Sequence, residues 1–304
     1  MKNVYKNFYV NLYNSTNGYI PTKPLNSIIY PGDFFQIQNG NLVILGNIFR
    51  DTIINIEDAV ITYHNKLNTA GWNINSGIGK PYAGRGNGTG NDGSFEYSRQ
   101  VLSFAKRGSF IFHAAQPETA RIVNWDEISE QLIIKMTQTH YSFRELYLVT
   151  ETATAQHWSL AIAAAENAEL EIASDAENYG LVDIFGHQSA KTVQARDIEF
   201  YWREPHRRPS FFKAKKLVVN SRKTEQFISD LITRNTKQQE WARTFYDLDI
   251  EGEISNNTIP NTAAISVLDM LAANELNPNT ALDYFRWADA TLDDINKMFP
   301  ADVL

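Results

Sequence analysis

Two hydrophobic periods alternate along the chain, and each predicts its own kind of element. The first fifty residues read as short strands with turns. Pro31-Gly32-Asp33 marks a turn, and Asn39-Gly40 joins DFFQIQ to NLVILGNIF as a two-residue hairpin connection of the kind that needs positive φ at both positions. Asn55 is then placed to cap a helix with Glu57 and Asp58 in its first turn. Its stripe is Val60, Tyr63 and Leu67, with Gly71 where the chain should leave the helix. Ser76 to Gly93 holds seven glycines and reads as a mobile loop.

From Ser94 the period is two. Phe95 and Tyr97 alternate, then Leu102 and Phe104, then Phe110, Phe112 and Ala114, with Lys106-Arg107-Gly108-Ser109 at the bend. This predicts a hairpin with a basic tip and one apolar face. A helix follows on the stripe Trp125, Ile128, Leu132 and Met136, with Asp126 and Glu127 opposing its dipole at the start. Through ELYLVTETATAQHWSLAIAAAENAELEIAS, Trp158, Leu160, Ile162 and Ala164 alternate with small residues, as do Ala168, Leu170 and Ile172. Helix propensity favours AIAAAENAELEIA, but the period and the Thr-rich approach favour strands. Strand signals continue through GLVDIFG and TVQARDIEFYW.

Arg222 to Tyr246 then looks helical, and DLDIEGEISNNTIPNT breaks the pattern as an exposed linker. Two or three short helices follow, one around Leu268 and Leu271 and one around Leu282 and Phe285. The last is capped by Thr291, carries Asp293 and Asp294 in its first turn, and ends at Phe299-Pro300. The division this gives is a body over 1–246, a linker over 247–262 and an acidic helical tail over 263–304.

Charge sharpens that division. The net charge is −7, and all of it lies beyond Asp249: from Glu251 onward nine acidic residues stand against Arg286 and Lys297. Within the neutral body, Arg203 to Lys223 holds eight Lys and Arg and one Glu. Such blocks are either solvated surface or, in the sharper reading, a tail that covers the basic segment. There are no cysteines, which excludes disulfides, thiolate zinc sites and thiol nucleophiles together. MKNVYKNFYVNLYNS has neither the apolar run nor the cleavage site of a signal peptide, and no stretch approaches the roughly 18 apolar residues of a spanning helix. The expectation is a protein made in the cytoplasm.

Enzyme chemistry finds no foothold. His64, His113, His140, His157, His187 and His206 are scattered, and no nucleophile elbow, His-Glu-x-x-His or kinase signature is present. Gly88-x-Gly90-x-x-Gly93 has dinucleotide spacing but no strand before it or amphipathic helix after it, and nothing else calls for a cofactor or nucleic acid. Asp247, Asp249, Glu251, Gly252 and Ile254 match part of a calcium-loop template, but Thr258 stands where the bidentate carboxylate belongs. An acidic exposed linker accounts for these residues without a metal. Membrane strands need about 9–11 residues with alternating faces. The stretches Tyr97–Pro117 and Leu146–Ser174 have the length and alternation for one such hairpin each, although an ordinary soluble antiparallel sheet produces the same pattern.

Four stretches carry a resemblance. They are KPLNSIIYPGDFFQIQNGNLVILGNIFRD, VLSFAKRGSFIFHA, ELYLVTETATAQHWSLAI and GHQSAKTVQARDIEFYWRE, spanning roughly Lys23 to Glu204, about 60% of the chain. In order they resemble the opening segment and first strand pair, the first hairpin region, a central strand and the closing basic strand of the gasdermins, particularly the bacterial ones. The resemblance implies an α+β fold, a twisted antiparallel sheet with flanking helices and a short helical C-terminal regulatory tail. It implies a non-enzymatic effector, activated when a protease removes the tail, that assembles with copies of itself into a membrane pore. Lys106, Arg107, Arg203, Arg207, Arg208, Lys213, Lys215 and Lys216 would then bind anionic lipid. Asp247, Asp249, Gly252 and Asn257 mark the candidate cleavage linker, and Leu268, Leu271, Leu282, Phe285 and Phe299 the apolar face of the inhibitory tail. Bacterial gasdermins usually carry a lipidated N-terminal cysteine, which this chain lacks. The rival reading is a soluble binding or structural protein whose C-terminal helices dock a partner.

Overall fold

The structure is a computed structural model, and it describes residues 4–90, 93–136, 146–174, 184–187, 189–219, 281–282 and 285–300. Helix α1 (Lys6–Ser15) opens the chain where the sequence reads as strand. Phe8, Tyr9 and Leu12 bury one face of it, and Asn17 and Gly18, both at positive φ, end it. The strands that follow are β1 (Ile20–Pro21), β2 (Asp33–Gln38), β3 (Asn41–Asn47), β4 (Ile61–Lys66), β5 (Asn73–Ser76), β6 (Ile78–Gly90), β7 (Gly93–Phe104), β8 (Phe110–Ala115) and β9 (Glu118–Ile122). Helix α2 (Trp125–Met136) precedes β10 (Tyr147–Thr154), β11 (His157–Ala163), β12 (Ala168–Ser174), β13 (Lys191–Arg196), β14 (Ile198–Glu204) and β15 (Phe211–Val219). The tail contributes β16 (Phe285–Asp289) and α3 (Leu292–Lys297). The fold is α+β and sheet-rich.

The main sheet runs β1-β15-β10-β2-β3, with β16 also on β15 and the β4–β9 pair joined to β10. All its pairings are antiparallel, and Asn39 and Gly40, at φ 51° and 77°, close the predicted β2–β3 hairpin. The other two sheets run β14-β11-β8-β5 and β13-β12-β7-β6. Their matching orders show that four antiparallel strands each pass through both sheets and turn a corner between them. Each corner holds a residue at positive φ: Gly77, Gly108, Asn167 and Asp197. The corners are bonded to one another, Ala105 N–H to Gly77 O at 2.9 Å, Gly108 N–H to Ala163 O at 3.0 Å and Ala164 N–H to Asp197 O at 2.8 Å.

Three apolar clusters form the core. The largest joins α1, β8, β10, β11 and β15 with Ile295, Met298 and Phe299 of the tail. The second lies under α2, where Ile128, Leu132 and Met136 meet Leu148, Leu217 and Phe285. The third packs Leu102, Phe104, Ala161, Leu170 and Ile172 beneath Ile184 and Phe185. Trp158, Leu160 and Ile162 therefore face one core and Ala161 and Ala163 another, so β11 is buried on both sides.

Several expectations are corrected. The helix capped by Asn55 is one 3-10 turn (Ile56–Asp58) followed by β4, so Val60, Tyr63 and Leu67 form no helical stripe. The glycine-rich loop is β6, paired with β7 from Ile78↔Phe104 to Gly90↔Gly93. An edge strand needs only backbone groups to pair, and glycine hides the period without removing them. Lys106–Ser109 is a corner between two sheets and not a hairpin tip, because β7 pairs with β6 and β12 whereas β8 pairs with β5 and β11. Ile184 and Phe185 lead into a turn and not a strand. Phe285 opens a strand, so the tail is not wholly helical. Leu282 is helical, in a piece that the structure describes only at 281–282.

Candidate functional site

The tail enters the sheet through β16, which lies antiparallel on the outer edge of β15 from Lys215↔Asp289 to Val219↔Phe285. In its sequence, FRWAD, Phe285 is buried and the other four side chains are partly or fully exposed. The Trp287 indole N–H donates to Ser129 O of α2 at 3.0 Å, and its ring meets Trp125 edge-on at 5.5 Å. On the other side of the crossing, Tyr13 of α1 donates to Ala290 O at 3.1 Å. The segment thus ties α1 and α2 to β15.

Beyond the strand, Thr291 and Asp294 close a capping box that starts α3. Asp294 does more than cap. Its carboxylate accepts from Tyr147 Oη at 2.7 Å, from Lys216 Nζ at 3.0 Å and from Thr291 N at 2.9 Å, and Lys297 stands at 3.9 Å. Burial pushes its pKa up, but the bonds from Tyr147, the Thr291 amide and Lys216 outweigh burial and hold it below the ordinary carboxyl value. A second ion pair joins Lys215 to Asp289 at 2.7 Å, with Asp289 itself exposed. At the far end Phe299 lies against Tyr9 at 4.8 Å, beneath the Lys23 ammonium at 4.3 Å. Lys23 also donates to Met298 O, and its burial lowers its pKa. Met298 O stands 2.8 Å from where a Cβ on Gly40 would sit, so the tail ends against the β2–β3 turn.

The eight predicted lipid-binding residues fall in several places. Lys106 and Arg107 are exposed at the β7–β8 corner. Arg203 on β14 donates to Phe185 O at 3.1 Å and to His187 O. Arg207 pairs with Glu118 at 2.7 Å and Arg208 stands 3.8 Å from Glu204. Lys213 is 3.7 Å from Glu151 and lies over the Tyr19 ring at 4.5 Å. Lys215 and Lys216 are the two that meet tail carboxylates. A cleft of about 410 Å³ opens beside them, lined by Tyr13, Asn14, Asn17, Lys213, Asp289 and Ala290. Of the tail's apolar residues, Phe285 and Phe299 are buried and Leu282 is partly exposed. Leu268, Leu271, the linker positions Asp247, Asp249, Gly252 and Asn257, and the partial calcium template lie outside the described residues.

No protein-family model matches the chain, and no curated protein matches it. Among solved structures it is similar to a bacterial gasdermin from Bradyrhizobium tropiciagri, at 9% identity with a TM-score of 0.29, over 70% of this chain and 86% of that one. At that identity and score the likeness carries no argument about what this chain does.

Nothing in the sequence points to Tyr147, Lys23 and Tyr13 as partners of the tail or to Trp287 as its tie to α2, and Asp294 reads there only as a dipole effect. Charge marks only the lysine partners Lys215 and Lys216, through nine acids in the tail and eight bases between Arg203 and Lys223. Among the described residues no group of three or more His, Asp or Glu is placed to hold a metal. No described helix is long and apolar enough to cross a membrane, which says nothing about crossing by strands.

Proposed function

We propose that this chain is an autoinhibited membrane-permeabilising effector of the gasdermin type, without enzymatic activity. A protease cuts within 247–262, the segment from about 263 onward leaves the body, and the body assembles with copies of itself as a β-barrel pore. Such a pore kills the cell that makes it, as an antiphage or other cell-death defence. Before the cut the protein is cytoplasmic, and afterwards it is at the cell membrane.

The observation that carries this reading is the tail contact. Asp289 and Asp294 neutralise Lys215 and Lys216, and β16 occupies the edge of the strand that bears them. Removing the tail turns those two lysines back into free cations, each worth about 1 kcal/mol beside an anionic lipid surface. It also unpairs a strand edge, which only assembly or another cover can satisfy. Lys106 and Arg107, already exposed at the β7–β8 corner, are further cations that could meet lipid.

The test is dye release from liposomes rich in phosphatidylserine, after a protease site is engineered between Asp249 and Thr262. Release by the cut protein and not by the intact one is the expected result. Sealed liposomes with verified cleavage would remove the pore reading. They would leave a soluble binding protein whose tail docks a partner.

A further inference from the structure

The main sheet branches beyond β10, and its edges at β15 and at β3 are unlike. On one side β15 is covered by β1 along Phe211 and Phe212 and by β16 along Lys215–Val219. On the other side β3 ends the strand order, and among the described residues no strand pairs along its outer edge. That edge is unusual in composition. Natural sheets blunt an open edge with charge, proline or a short strand. Here β13 (KTVQAR) is fully exposed with Lys and Arg, β4 carries Lys66, β6 carries Lys80 and Arg85, β14 carries Arg203 and β5 is only four residues long. In contrast β3 reads NLVILGN, seven residues with no charge and no proline, and Ile44 is 45% exposed on it.

The outward backbone groups of β3 can be assigned. Leu42 N–H donates to Lys23 O at 3.4 Å, off the side of β3 that faces β2. Alternation then puts the Ile44 N–H on the same outer side. Lys23, which covers that end of the β3 edge, is itself held by the tail through Met298 O and Phe299. The tail segment therefore caps β15 directly and steadies the residue that shields β3.

We propose that β3 of one copy pairs with the β15 edge of the next once the tail has left, continuing the main sheet from subunit to subunit. This rests on the pore-forming reading above and names its assembly contact. The occupant follows from three observations. The β15 edge already accepts an antiparallel strand along five residues, Lys215–Val219. Pairing of β15 with another β15 would gather Lys213, Lys215 and Lys216 of both copies along one seam, whereas β3 brings no charge. The two edges also lie on opposite sides of one sheet, so their contact is head-to-tail, the kind that forms a ring when the rotation between copies closes. In the intact chain β16 occupies the β15 half of this contact, which keeps it from assembling.

The test uses the full chain with the engineered cut, on the same phosphatidylserine liposomes, with oligomers measured by chemical cross-linking and sedimentation. Ile44→Lys puts a charge on the edge at an exposed position, and the uncut variant should melt like the wild type. After the cut it should form oligomers less well by about tenfold or more. Because the chain has no cysteine of its own, a mixture of Ile44→Cys and Val218→Cys proteins gives a second reading that needs no loss of assembly. Disulfide-linked pairs joining the two variants, formed only after cutting, are expected. Normal assembly by cut Ile44→Lys, or links joining β15 to β15 or β3 to β3, would overturn the contact while leaving the pore reading in place. A cut wild type that stays monomeric on liposomes would overturn both.

Discussion

The phenol of Tyr147 donates a 2.7 Å hydrogen bond to the carboxylate of Asp294, joining the central strand of the main sheet to the first turn of the last helix. Lys216, opposite Tyr147 in the β10–β15 register, completes the cluster at 3.0 Å. Substituting Asp294→Ala leaves a buried phenol and a half-buried ammonium without their acceptor, at a cost of about 2–4 kcal/mol. Asp294→Asn keeps an acceptor for Tyr147 and should cost about half as much. Denaturant unfolding of the intact chain measures both, and equal effects of the two substitutions would show that the charge carries the whole contribution and the retained acceptor none.

The same carboxylate sets a pH response. Its pKa in the folded protein is below its unfolded value of about 3.9, so its contribution is full above that value and is lost as pH falls through the lower folded one. The tail should stay docked from pH 7 down to about pH 5 and loosen only below about pH 4. Hydrogen exchange at residues 285–300 against pH reports this directly, and Asp294→Asn should flatten the curve. Loosening centred near pH 6 would place the trigger on a histidine and refute the assignment to Asp294.

Trp287 fastens the strand part of the tail to α2. Trp287→Ala removes an edge-on contact with Trp125 and the bond to Ser129 O, worth about 2–4 kcal/mol together. Under the proposed function, the uncut Trp287→Ala protein should leak dye from phosphatidylserine liposomes more than the uncut wild type does. A large loss of stability with no leakage would separate tail docking from inhibition.

Gly40 and Gly18 make a controlled pair. Both are at positive φ, but a Cβ on Gly18 meets nothing nearer than 4.0 Å, whereas on Gly40 it meets Met298 O at 2.8 Å and Pro300 at 3.0 Å. Gly18→Ala should cost about 1 kcal/mol from backbone strain alone. Gly40→Ala should cost more, and should speed exchange at 298–300, because the tail end must shift. Equal costs for the two would mean that Met298 does not press on the β2–β3 turn.

What the sequence disclosed follows from how each element is specified. Asn39-Gly40, the stripe of α2 and the alternation from Tyr147 onward were legible because turn chemistry and burial on one face leave a local pattern. Thr291 was legible as a cap because a capping residue is chosen by its immediate neighbours. Strand β6 was not, since its glycines offer no apolar period and its order comes from hydrogen bonds to β7. Strand β16 was hidden because DYFRWAD fits a helix as well as an edge strand, and only the free side of β15 decides between them. The Asp294 cluster joins residues 78 and 147 positions apart, which no local pattern encodes.

The four corners have a consequence for how faithfully this chain must fold. Because every strand of the second and third sheets is one continuous run through a bend, the alignment chosen on one side of the bend dictates the alignment on the other. A slip of one residue between β7 and β12 would also slip β8 against β11, turning Phe112 and Trp158 away from one core as it turned Leu102 and Leu170 away from another. An error therefore disturbs two interiors at once, where in a flat sheet it would disturb one.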